Sequence, residues 1–570
     1  MRLKYRNCLL KGDKIKNTKK DLLMIMKELE VLSVSSLQKV QPHERPTLLE
    51  SENVCFKNEI FSFQVAYYHE LYSLILHRCT WEIESDIKEY ITVRPVKLVP
   101  CTTAINAEND EFYLSRTACL MPDLLSDETE FYVRYQQWHS LWITVKGDLP
   151  TGEHKITIRL FDKNKKELGS TDYTLTVLDG VLLECDLKYA HWFHYDSIAK
   201  YYGLEVWSDE YNRVMNAFIK NAVEHGANTL LVPLVTPPTN TYIGGERLTT
   251  QLVDVIKKDG EYEFDFARLN RFMKNAESLG VKCFEMTHLY TQWGAEKAPK
   301  IIVEENGRKT NAFGWKEDSL GEKYTVFMKA FIPKLVAFLK SEGYGEDRVF
   351  FHISDEPSIG ALERYLKIRA LLKPMLGDYK IFDALSNYEF SSSGAVDMPV
   401  VETQHADEFL AKKVGNLWVY YCLGDGYKGL SNRLMAMPSW RARILGIQLY
   451  AIGAEGFLHW GYNYYNTALS EEYIDPYVVT DAWGSFQSGD SFVVYPSKDG
   501  KPLDSLRHEV LFDGFQDYAA LKMLEQKIGR EEVLKLLDEH GVKQNLTDYP
   551  KNAEWLIAFR KLVYDKLMTL

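Results

Sequence analysis

Two different spacings of apolar residues divide this chain. In its first third, apolar and polar positions alternate. Phe61-Ser-Phe-Gln-Val-Ala-Tyr-Tyr68, Leu141-Trp-Ile-Thr-Val145, His154-Lys-Ile-Thr-Ile-Arg-Leu160 and 173–178 each read as a short strand with one face turned inwards. Gly147-Asp-Leu-Pro-Thr-Gly152 punctuates two of them. Short strands separated by turn residues predict a β-sandwich over residues 1–184.

Near Cys185 the spacing changes. Strand-like runs at 187–195, 227–235, 281–289, 348–354, 380–385, 399–403, 417–422 and 456–460 alternate mostly with helical patterns. Leu269, Phe272, Met273, Ala276 and Leu279 fall on one face of a helix over 264–280. Phe327, Phe331, Leu335 and Phe338 do the same over 322–343. Eight strands separated by helices predict a (β/α)8 TIM-type barrel. A doubly wound open sheet is the alternative, disfavoured because no glycine-rich phosphate loop follows any strand. A further strand at 491–496, a helix from 504 and a helical tail follow. The expected class is multidomain α+β: a sandwich over 1–184, a barrel over 185–530 and a C-terminal helical extension over 531–570.

Bulk properties narrow the function. A chain of 570 residues is too long for one core. Its net charge of −12, without a basic stripe, argues against nucleic acid as a partner. Residues 1–21 are polar and Lys-rich, without the apolar core of a signal peptide. No run approaches the ~18 apolar residues a spanning helix needs, so no membrane association is expected. The eight cysteines are scattered, with no C-x-x-C pair, which argues against a disulfide framework and a zinc site. A reduced, cytoplasmic protein without metal or cofactor is the simplest expectation. The assembly is left open between monomer and homodimer.

Candidate chemistry centres on Asp347-Arg-Val-Phe-Phe-His-Ile-Ser-Asp-Glu-Pro357. A buried strand ends here on two adjacent acids, Asp355 and Glu356, and Pro357 stops it. The carboxyl ends of parallel strands are where barrels keep their chemistry. The plain alternative is a solvated Asp-Glu-Pro turn before a helix. The other strand ends add His191, Trp192, His194, Thr236, His288, Tyr290, Gln292, Trp293, Asn387, Tyr388, Glu402, Gln404, His405, Tyr421, Cys422, Asp425, His459, Trp460, Tyr462 and Asn463. Aromatic faces and amides converging on one rim suit a polyhydroxylated ligand. Of these, His288, Trp293, Asn387, Tyr388, His459, Trp460 and Tyr462 are the expected substrate-binding residues. Strict alternation would aim Asp355 and Glu356 at opposite faces, so a common site requires the strand to have ended, or bulged, by Ser354.

Several stretches carry a family resemblance. They are Thr287-His-Leu-Tyr-Thr-Gln-Trp-Gly294 with Ala298-Pro-Lys-Ile301, Phe351-His-Ile-Ser-Asp-Glu-Pro357, and Asn432-Arg-Leu-Met-Ala-Met-Pro438 with Arg441-Ala-Arg-Ile-Leu-Gly446. Gly456-Phe-Leu-His-Trp-Gly-Tyr-Asn-Tyr464, Gly489-Asp-Ser-Phe-Val-Val-Tyr-Pro496 with Ser505-Leu-Arg507, and Asn58-Glu-Ile-Phe-Ser-Phe-Gln64 complete the set. In this order they resemble glycoside hydrolase family 123, the β-N-acetylgalactosaminidases, and related barrel proteins. The resemblance implies a retaining, substrate-assisted mechanism on a glycan or glycoconjugate, in which the 2-acetamido group attacks the anomeric carbon and no enzyme nucleophile is needed. It implies Glu356 as general acid and then base, and Asp355 as the residue orienting the acetamido group. A glycosidase of other specificity, with Glu402 as the one obvious nucleophile, and a non-catalytic carbohydrate-binding barrel are the alternatives.

Overall fold

The structure, a computed structural model, describes residues 29–48, 53–70, 77–105, 110–423 and 429–570. The polar N-terminus and Asp425 lie outside the described residues. The chain divides into two compact units, 1–97 with 126–181, and 98–125 with 182–570.

The first unit is built of β-sheets. In one, Glu30–Ser35, Phe61–Tyr68, His139–Val145 and Ile91–Cys101 are neighbours. In the other, the order is Val54–Phe56, Glu167–Leu178, Gly152–Asp162, His77–Glu84 and Phe131–Val133. Alternation sorts the side chains as expected. Phe61, Phe63, Val65 and Tyr67 enter a core shared with Ile156, Ile158, Leu160 and Leu175 of the other sheet. Phe63 stacks on Tyr173 with ring centroids 4.0 Å apart. The intervening Gln64 donates instead to the Ser35 and Gln38 carbonyls.

Eight parallel strands close a barrel in the second unit: Lys188–His191 (β1), Thr229–Val232 (β2), Cys283–Met286 (β3), Val349–Phe351 (β4), Lys380–Leu385 (β5), Met398–Glu402 (β6), Trp418–Tyr420 (β7) and Gly456–His459 (β8). Closure is direct: Lys188 to His191 pair in register with Gly456 to His459. Each strand lies within, or within one residue of, its expected run, and most are shorter. One parity of side chains fills the interior, among them Leu231, Phe350, Phe382, Val400, Trp418, Tyr420 and Leu458.

Two features depart from the sequence reading. Asp254–Lys258, Glu261–Asp265, Ile301–Glu305 and Arg308–Phe313 form a four-stranded side sheet from the loops after β2 and β3. The helix expected from 264 therefore starts at Ala267. The signal was available in Asp259-Gly260 and Asn306-Gly307, which carry positive φ and make two-residue hairpin turns. Residues 98–125, which fall inside the expected 1–184 domain, belong to the second unit. Their anchors are buried. The Asp123 carboxylate accepts from Arg507 at 2.8 and 3.0 Å and from the Tyr495 hydroxyl at 2.6 Å. Asp110 pairs with Arg441 at 2.9 Å.

Helices Trp440–Ile452 (α1) and Leu506–Ile528 (α2) cross closely within this unit. Glycine is required at the crossing, because a Cβ on Gly446 would stand 1.7 Å from the Gly514 carbonyl oxygen. Among the described residues, no helix is long and apolar enough to cross a membrane.

Candidate active site

The site grows from the end of β4. Extended pairing stops at Phe351, and the next five residues leave the sheet. The Asp383 carboxylate, on β5, accepts from the amides of Ile353 at 2.9 Å and Ser354 at 3.1 Å. The Asp355 carbonyl accepts from the Trp293 amide at 2.7 Å, and the Glu356 amide donates to the Ala384 carbonyl at 3.1 Å. Glu356 takes φ +42°, a conformation costly for a non-glycine residue and held here by those contacts. With the strand ended and this turn made, both carboxylates reach one cavity.

That cavity is about 230 Å3 and opens at the carboxyl end of the barrel. Its walls include Trp192, Trp293, Tyr420, Trp460 and Phe486, with Thr239, Asn240 and Gln292 as polar members. The Tyr420 hydroxyl donates to Glu356 Oε1 at 2.5 Å. His194 also faces the cavity, but its ring nitrogens are engaged: Nε2 bonds the Trp460 carbonyl at 2.8 Å and Nδ1 accepts from Arg247 at 3.2 Å. Burial and the Arg247 guanidinium push its pKa down to about 3, so it is a neutral wall residue.

The acids are the opposite case. Burial, and then the charge of Glu356, raise Asp355 well above the ordinary carboxylate range, with His352 opposing. Burial also raises Glu356, against the Tyr420 hydrogen bond and with Glu402 adding. Two adjacent carboxyls that both resist ionisation lose their protons as a pair rather than independently. A positioned, protonated carboxyl beside a carboxylate can deliver a proton to a leaving oxygen and take it back from water.

Residues 192–524, more than half of the chain, match the family model described as glycoside hydrolase 123, catalytic domain. The chain belongs to glycoside hydrolase family 123 and is a glycoside hydrolase. A family 123 glycoside hydrolase from Clostridium perfringens, whose structural analysis addressed glycolipid glycan hydrolysis, shares its fold. The TM-score is 0.72 at 13% identity, covering 95% of this chain and 98% of that one. A putative β-galactosidase from Bacteroides fragilis aligns with a TM-score of 0.30 at 10% identity, over 85% of this chain and 60% of its own, too remote to carry an argument. No curated protein sequence matches the chain.

In this glycoside hydrolase, the expected site residues separate into two groups. Asp355, Glu356, Trp293 and Trp460 line the cavity. The others do not. His288 is fully buried and stacks on His352 at 4.2 Å. His459 is fully buried and accepts from Arg433. Tyr462 is fully buried, with its hydroxyl on the Phe218 carbonyl at 2.9 Å and Asn221 Oδ1 at 2.7 Å. Tyr388 packs edge-on to Phe409 under the Lys412 ammonium, and Asn387 precedes the short helix Tyr388–Ser392. Tyr420 was missed by reading strand ends alone. Interior parity gives it, because it lies two residues from Trp418 in the barrel core.

Two other features are set apart from the acids. A cavity of about 370 Å3 lies across the bond from Gln292 to the Thr241 carbonyl, and its carboxylates Glu246 and Glu317 are paired with Lys300 and Lys323. Among the described residues, His225, Asp504 and His508, and His288, His352 and Asp383, bring ligand-type atoms together. In each cluster the two imidazoles are stacked, at 3.8 and 4.2 Å, so their in-plane lone pairs do not converge on one ion.

Proposed function

We propose that this glycoside hydrolase is an exo-acting, retaining β-N-acetylgalactosaminidase that uses the substrate's own 2-acetamido group. The observation that carries the reading is the placement of Asp355 and Glu356, adjacent in sequence, on one cavity of about 230 Å3. That volume suits a single terminal sugar ring. Glu402, the carboxylate a double-displacement route would recruit, is instead held by Ser386 at 3.2 Å and His405 at 3.4 Å and is not on the cavity wall. In this reading Glu356 keeps Oε1 on Tyr420 and delivers its proton from Oε2 to the leaving oxygen. Asp355 accepts the acetamido N–H, aims the carbonyl oxygen at the anomeric carbon and stabilises the positive charge of the oxazolinium-like intermediate. Glu356 then deprotonates the attacking water.

The fold belongs to the same reading: a TIM-type barrel carrying the chemistry, and a sandwich of the N-terminal sheets. Substrate comes from the sugar end of a glycoconjugate. The glycolipid glycans addressed for the Clostridium perfringens relative are the first class to try. A panel of p-nitrophenyl glycosides differing at C2 and C4 tests the proposal. Turnover of the β-GalNAc member alone supports it, and turnover of sugars lacking a 2-acetamido group overturns it.

A further inference from the structure

Beneath the acid pair lies a chain of buried charged groups that the reaction itself does not consume. His352 is the residue after β4, and its side chain is fully buried. Nδ1 lies 2.8 Å from Asp383 Oδ1, and Nε2 lies 2.9 Å from Glu285 Oε2. Ionised carboxylates only accept hydrogen bonds, so a ring with one at each nitrogen must donate from both. The arrangement is that of an imidazolium between two carboxylates. Burial opposes that charge, but the two carboxylates outweigh it and hold the pKa at about 9.

Each end of this triad reaches the cavity. Glu285 Oε2 also accepts from the indole nitrogen of Trp192, a cavity wall, at 2.8 Å. Asp383 Oδ2 accepts from the Ile353 and Ser354 amides and from the Tyr365 hydroxyl. Those two amides immediately precede Asp355. The groups facing the His352 ring are thus Glu285 from β3, Asp383 from β5, the neutral His288 stacked above it, and Asp355 on its own loop.

We propose that Asp383, His352 and Glu285 form a positioning triad for the acid pair. Asp383 fixes the turn that brings Asp355 and Glu356 to one cavity, and the imidazolium favours the ionised form of Asp355. His352 thereby biases the proton of the pair towards Glu356, the assignment the proposed mechanism needs, with the Asp383 charge opposing it. This inference rests on the reading of Asp355 and Glu356 as the working pair.

Two charges of the triad act on Asp355 in opposite senses: the His352 imidazolium lowers its pKa and the Asp383 carboxylate raises it. The acidic limb of the rate profile reports the group that must lose its proton, here Asp355. Removing the imidazolium raises the Asp355 pKa and moves that limb to higher pH. In the full-length protein, Asp383→Asn lowers kcat about tenfold or more with KM little changed, as expected for misplacement of reacting groups. The limb is read in the Glu285 variant, because Asp383→Asn also removes a charge that raises Asp355. Glu285→Gln leaves the two amides held and removes one carboxylate from His352, so it weakens the imidazolium alone and moves the limb to higher pH with a smaller loss of kcat. Loss of activity in proportion to folded protein in both variants, with the limb unmoved in Glu285→Gln, overturns the proposal. A second readout needs no turnover. Histidine nitrogen chemical shifts identify His352 as an imidazolium at pH 7.5 in the wild type, and a neutral ring there overturns the triad even in an active enzyme. If the wild type cleaves no glycoside but His352 is charged, the function reading fails and the triad's electrostatics stand.

Discussion

Tyr420 donates its hydroxyl to Glu356 at 2.5 Å, from a strand three places further round the barrel. The bond stabilises the carboxylate form and so holds the Glu356 pKa down. Tyr420→Phe removes the donor and lets that pKa rise. The protonated acid then persists to higher pH, and the alkaline limb of the rate profile moves up by about one pH unit. An unmoved limb would assign the alkaline limb to another group.

The two acids have separable roles. Glu356→Gln abolishes turnover of substrates with poor leaving groups and spares activated aryl glycosides, whose departure needs little protonation. Asp355→Asn impairs both, because acetamido attack precedes departure in either case. Losses of about 100-fold or more are expected for a positioned acid–base group. A thiazoline mimic of the oxazoline inhibits the wild type. Equal losses on both substrate types, with no thiazoline binding, would point to an enzyme nucleophile.

Trp460 and Tyr462 lie two residues apart and do different things. Trp460→Ala opens the cavity wall and raises KM or lowers kcat, with little change in melting temperature. Tyr462→Phe leaves kcat/KM within about twofold and costs about 1–2 kcal/mol of stability, because the Phe218 carbonyl and Asn221 lose a buried donor. Steady-state kinetics and denaturant unfolding on the same two variants separate the effects.

Gly446→Ala tests the α1–α2 crossing. The added methyl meets backbone, which cannot rotate away. A loss of about 3 kcal/mol or more is expected, or failure to fold, read by thermal melting.

The barrel was legible because each strand carries apolar residues of both parities between helical stretches. Asp355 and Glu356 stand out in the sequence because two acids and a proline follow a run whose residues 349–354 are all buried. What could not be read lies beyond the strand ends, where parity no longer fixes direction. Gly461 separates Trp460 from Tyr462, and a Cβ there would meet the Asp490 and Ser491 carbonyls at 2.7 Å. That packing, set by a distant stretch of chain, turns Tyr462 inwards. Tyr388 is drawn away in the same manner by Phe409 and Lys412. His288 and His459 are rim residues by position and core residues by contact, a distinction single-residue chemistry does not make.

The Asp123–Arg507 pair spans 384 positions of sequence. At ~5–20 residues per second, a ribosome takes roughly 20–80 s to travel from one partner to the other. For that time the Asp123 carboxylate is without Arg507, and the segment around it waits as an unfinished edge. A gene cut at codon 185, the boundary a linear map would choose, leaves Arg507 and Arg441 each without the carboxylate that neutralises it. Supplying residues 98–125 as a separate peptide is the complementation experiment this geography invites.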